Sequence, residues 1–130
     1  MACEHLRWQN VPREQLNPLL ARQVVSGKKA MLARFYLQKG CVVPSHSHES
    51  EQLSYILEGA LRFRLESQKN PEGQKEAEAA EELVVRAGEV LVIPSHMVHS
   101  AVALEDTVAL DIFSPIRQDW LDGSDAYLRK

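Results

Sequence analysis

Cysteine is scarce in this 130-residue chain: Cys3 and Cys41 are the only two, and they form no Cys-x-x-Cys pair. Nothing at the N-terminus joins a basic start to an apolar run of signal-peptide length, so a reducing cytoplasm is the expected setting. No apolar run approaches the roughly 18 residues that a membrane span requires. Positive charge is not in excess, since 15 Lys and Arg face 18 Asp and Glu for a net charge of -3, and the chain therefore carries no basic footprint for nucleic acid. Nor is there an internal repeat of the kind that marks a solenoid. These absences leave a small molecule as the expected partner.

What is present is ordinary globular material, 45% hydrophobic and 25% charged, in a length that fits one domain. Residues 1–18 hold Pro12 and Pro18 with no sustained period, and read as an arm across the domain anchored by Trp8. Two strands are expected over 19–25 and 29–38, joined at Ser26-Gly27-Lys28. Leu61 to Glu66 alternates strictly, placing Leu61, Phe63 and Leu65 inward and Arg62, Arg64 and Glu66 outward. Residues 67–82 are polar and glutamate-rich, which predicts a surface loop. Strands follow over 83–86, 90–94, 99–105 and 107–113, and then Pro115 is expected to open a short helix that docks Trp120 and Leu121. Short strands spaced by glycine and polar turns predict an all-β barrel or double-sheet jelly roll with a small helical piece at the C-terminus. The organisation expected is an arm (1–18), a barrel (19–113) and a segment packed on it (114–130).

The stretch from Gly40 to Gly59 concentrates the chemistry. His46, His48 and Gln52 are all of even number, so an extended chain would point them to one face. Imidazole is the commonest ligand for first-row divalent metals, and His99 is the candidate for the third. Gln52 is either a neutral fourth ligand or a hydrogen-bond partner of a metal-bound water. Glu51 points to the opposite face by parity. His96 is read as a rim residue, and Tyr55 and Arg34 as packing and surface residues.

Gly40-x5-His46-x-His48-x3-Gln52-x6-Gly59 resembles the first motif of the cupins, with Gln52 where that family carries glutamate. Gly88-x5-Pro94-x4-His99 resembles the second, although His96 replaces its usual glycine and Ala103 its trailing asparagine. The resemblance spans about residues 19 to 113. It implies a small jelly-roll barrel holding one divalent transition metal (zinc, nickel, iron, manganese or cobalt) on His46, His48, Gln52 and His99, in a protein that is a homodimer. Three imidazoles and an amide leave the full charge on the ion, which favours a Lewis acid over oxygen activation.

The run Asp111-x-Phe113-x-Pro115-x-Arg117 narrows this further. Together with HSHESEQLSYILEG it resembles the single-domain cupins of pectin degradation that linearise 4,5-unsaturated galacturonate. That resemblance implies that Asp111 moves protons as general base and acid, Arg117 holds the uronate carboxylate with its two-pronged guanidinium, and Phe113 covers the sugar face. The bland alternative is a strand-ending aspartate, a core phenylalanine and a surface arginine. Two other activities stay open on the same barrel, a metal-dependent dioxygenase and a non-catalytic sugar-binding sensor.

Overall fold

The computed structural model describes residues 3–66, 80–123 and 125–129. Among the described residues, ten strands form two antiparallel sheets: β1 (Glu14–Asn17), β2 (Leu20–Ser26), β3 (Met31–Leu37), β4 (Val42–His46), β5 (Glu51–Glu58), β6 (Ala60–Glu66), β7 (Ala80–Arg86), β8 (Val90–Ile93), β9 (His99–Ala103) and β10 (Thr107–Ser114). The larger sheet has the order β1-β2-β3-β10-β5-β8 and the smaller β4-β9-β6-β7. This is the jelly-roll architecture that the strand spacing predicts.

Alternation decides which residues fill the space between the sheets. On β3 the buried positions are Met31, Ala33, Phe35 and Leu37; on β6 they include Leu61 and Phe63, the inward set expected from the sequence. The inward row of β10 reads Thr107, Ala109, Asp111, Phe113, and that of β5 reads Gln52, Ser54, Ile56, all buried. Polar side chains thus collect at one part of an otherwise apolar interior, and register fixes them side by side: Asp111 faces Ser54 and Phe113 faces Gln52 across the β10–β5 pair. A buried polar cluster costs stability unless its members pair with one another or with a ligand, so its position marks the site.

One turn admits only glycine. At Gly59, between β5 and β6, φ is +88° and an added Cβ would lie 2.4 Å from the Asp106 carbonyl oxygen and 2.5 Å from Thr107 Oγ1. The close approach lets the turn pack on the β9–β10 connection, where Thr107 Oγ1 accepts from the Ala60 N–H at 3.2 Å.

Several local expectations shift. The segment expected as an arm supplies β1, which pairs with β2, after a 3₁₀ turn at Trp8–Asn10. Trp8 is held mainly through its backbone, its carbonyl accepting from Gln23 Nε2 at 2.7 Å. The strand expected from Leu83 begins at Ala80, because Ala80, Glu81 and Glu82 pair with Glu66, Leu65 and Arg64. The rest of the expected acidic loop, 67–79, lies outside the described residues. Pro115 follows a cis peptide bond and does not open the helix; α1 is Gln118–Leu121, with Arg117 at its N-cap. Trp120 docks as expected, but Leu121, next along the helix, is half exposed. A second 3₁₀ turn, Ala126–Arg129, closes the described chain. No helix among the described residues is long and apolar enough to cross a membrane.

Candidate metal centre and adjoining pocket

His46 ends β4 and His99 begins β9, and the two are paired directly across the ladder. His48 does not share a strand with them. The chain turns after His46, and a hydrogen bond at 2.7 Å from the His96 N–H to the His48 carbonyl fixes the connecting segment. The even-number parity therefore gives the right convergence by a different route: a bend between two sheets, not one extended strand, brings His46, His48 and Gln52 together. Exposed His96 adopts φ 65°, in the left-handed region that favours glycine, and so occupies the place where the resembled motif has one.

One ligand atom from each of His46, His48 and His99 lies within 4.8 Å of the others. In all three rings Nδ1 faces a carbonyl: Pro44 O at 2.7 Å for His46, Ser50 O at 2.9 Å for His48 and Met97 O at 2.8 Å for His99. A carbonyl can only accept, so Nδ1 carries the hydrogen and Nε2 presents its lone pair. Burial, reinforced by the neighbouring His99, pushes His46 down to about 3. Burial and the nearby Arg117 push His48 down to about 4, and burial lowers His99 as well. All three imidazoles are neutral at physiological pH, as metal ligands must be.

Two contacts test whether a cation fits. His99 Nε2 is buried without a hydrogen-bond partner. His48 Nε2 lies 3.1 Å from Gln52 Oε1, and both atoms are acceptors in the tautomer just derived. Turning the Gln52 amide would give up the bond its Nε2 donates to Ser54 Oγ at 2.9 Å and its approach to Asp111 Oδ2 at 3.4 Å. Lone pairs facing one another are stable with a positive ion among them. The donor set fits a divalent transition metal.

The pocket beside this centre is lined by His46, Gln52, His99, Asp111, Phe113 and Arg117, with Tyr127 from the C-terminal turn. Asp111 is buried, and desolvation pushes its carboxyl up to about 7, against the opposing pull of the Ser54 hydroxyl and Arg117. Its Oδ1 has no hydrogen-bond partner. Phe113 packs edge-on to His48, ring centroids 5.6 Å apart, and to Trp120 at 4.9 Å. Arg117 is only 3% exposed and lies against the Phe113 and Trp120 rings. It is no surface residue, but its Nε and Nη2 already donate to Asp119 at 3.0 and 2.8 Å. Tyr127 is a lining residue that the sequence does not announce; it follows the last strand in a segment with no period.

The fold, the three convergent histidines and the family match agree: residues 18–116 match the cupin family, and the chain belongs to it. Among solved structures it is similar to KdgF from Halomonas sp., at 28% identity and a TM-score of 0.76, over 92% of this chain and 99% of that one. An RmlC-like cupin from Shewanella frigidimarina NCIMB 400 is similar at 26% identity and a TM-score of 0.75, covering 91% of this chain and 96% of the other. Oxalate decarboxylase from Bacillus subtilis shares the fold at 18% identity and a TM-score of 0.74, but this chain covers only 32% of it. No curated protein matches.

Proposed function

We propose that this cupin catalyses metal-dependent linearisation of 4,5-unsaturated uronates to 5-keto-4-deoxyuronates. The observation that carries the reading is Asp111: a buried carboxyl titrating at about 7, beside Gln52 in the pocket that adjoins three convergent imidazoles. A carboxyl poised near neutrality both takes and returns a proton, which is what a ring opening followed by tautomerisation needs. The likeness to KdgF, taken with the resemblance of Asp111-x-Phe113-x-Pro115-x-Arg117 to the uronate-linearising cupins, supports the substrate class.

The reaction is an isomerisation with no net proton change. A proton leaves the anomeric hydroxyl, the bond from the anomeric carbon to the ring oxygen breaks, and that oxygen becomes an enol hydroxyl. The enol then gives up its O–H proton while the adjacent carbon C4 gains one. Asp111 serves as the relay, with the Gln52 amide and Ser54 fixing its carboxyl. Phe113 forms the apolar wall for the sugar face, and Arg117 faces the uronate carboxylate. His46, His48, His99 and Gln52 would hold the ion. When bound, it supplies Lewis acidity toward a substrate oxygen, undiminished by any anionic ligand.

In the same proposal the protein acts in the cytoplasm as a homodimer; a monomer in sedimentation at low micromolar concentration would refute the latter. The reaction itself is tested by following the ultraviolet absorbance of the C4=C5 bond with metal-loaded protein beside a chelated sample. Loss of absorbance faster than the spontaneous decay, and only with metal, is expected. No acceleration with metal bound would remove the reaction and return the site to oxygen chemistry or ligand sensing.

A further inference from the structure

The C-terminal turn is fastened in place by buried charge. Asp125, with no exposed surface, meets Arg22 Nη2 at 2.5 Å and Arg129 Nε at 3.4 Å. Asn17 Nδ2 donates to the Leu128 carbonyl at 3.1 Å. These contacts tie the turn to β1 and β2, so Tyr127 enters the pocket from a seated backbone. Its ring centroid lies 4.8 Å from that of His46, and its hydroxyl oxygen accepts from Arg117 Nη2.

The hydrogens of Arg117 can be counted. A guanidinium has five N–H groups. Nε and one Nη2 hydrogen go to the two oxygens of Asp119, and the other Nη2 hydrogen goes to Tyr127. One complete edge of the fork is thus closed by an internal carboxylate, and only the Nη1 pair lies outside these bonds. Asp119 also offsets the positive charge. Arg117 alone is therefore a poorer carboxylate receptor than its two-pronged shape suggests. Tyr127 makes up the difference: a phenol that accepts through its oxygen keeps its own hydrogen for a second acceptor.

We propose that the carboxylate of the sugar acid is held by a composite donor pair, Arg117 Nη1–H and Tyr127 O–H, which makes Tyr127 a substrate-contacting residue that selects acid over neutral sugar. This rests on the sugar-acid reading above and adds to it the group that reads the acid. Asp119 and the Arg22–Asp125 pair are positioning residues in this scheme.

The test is calorimetric binding to the metal-loaded protein of D-galacturonate and its methyl ester, both saturated and unable to undergo the reaction. Tyr127→Phe keeps the ring against His46 and removes only the hydroxyl. It is expected to weaken galacturonate about 10-fold or more, the loss of one hydrogen bond to a charged acceptor. Affinity for the ester and metal content should stay as in wild type, and with the unsaturated substrate KM should rise more than kcat falls. Unchanged galacturonate affinity, equal weakening of acid and ester, or loss of metal would each overturn the assignment. The two readings separate. A wild type that linearises the substrate while Tyr127→Phe binds galacturonate normally keeps the reaction and removes Tyr127. A wild type that binds galacturonate through Tyr127 but never accelerates the reaction does the reverse, and a wild type that neither binds galacturonate nor accelerates the reaction removes both.

Discussion

Asp111 carries the sharpest consequences for a single side chain. Asp111→Asn keeps the shape but would abolish the proposed proton relay, so the proposed turnover of the unsaturated uronate should fall by roughly 10²- to 10⁴-fold with metal content unchanged; full activity in that variant would take Asp111 out of the mechanism. The same substitution has a signed effect on stability. Burial raises the Asp111 pKa to about 7 from 3.8, so the folded state binds its proton more tightly than the unfolded chain does. The carboxyl is neutral in both states below 3.8; between 3.8 and about 7 the unfolded chain ionises while the folded one keeps its proton, so stability falls across that window and stays low above it. Metal-free Asp111→Asn should therefore melt above metal-free wild type at pH 8, the gap closing on acidification. A gap that widens toward low pH would contradict the assigned shift. The histidines act in the opposite sense, since their lowered values mean that acidification favours the unfolded chain. Legibility also differs residue by residue. His46, His48 and His99 were readable because the residue type and the close spacing of the first two are what metal chemistry demands. The closed edge of Arg117 and the presence of Tyr127 were not, because both depend on where a short aperiodic tail returns to the sheet.

At the level of elements, the strands were legible and their ends less so. Alternation in β3, β5, β6 and β10 is strong because one face of each is buried, and a one-residue slip would invert every side chain. The start of β7 was hidden because Ala80, Glu81 and Glu82 look like loop until their partners on β6 are known; Glu82 approaches Arg64 at 3.8 Å across that pair. The bend after His46 was hidden for a similar reason, since spacing reports convergence without reporting the path. The Gly59 turn gives the clearest element-scale prediction. Any Cβ there meets the Asp106 carbonyl oxygen and Thr107 in a left-handed backbone, so Gly59→Ala should cost about 2 kcal/mol or more. Denaturant unfolding that shows no loss would mean the turn relaxes freely.

For the whole molecule, what matters is that the residues proposed to hold the ion are split between layers. His46 and His99 belong to the four-stranded sheet, Gln52 to the six-stranded one, and His48 to the connection between them. A bound ion is therefore a cross-link as well as a reagent. Chelation should lower the melting temperature, by an amount that grows with the logarithm of the metal concentration used for comparison. It should also leave a local signature in amide hydrogen exchange. With the ion in place, β4, β5 and β9 ought to exchange as one cooperative block; without it, the pocket end of the two layers should breathe apart while the β2–β3 hairpin keeps its protection. Uniform exchange changes across all strands would argue against such a rivet. If the rivet holds, the pocket mouth proposed to admit a sugar acid is stiffest when the site is loaded, and metal supply governs the mechanical state of the entrance as well as the chemistry inside it.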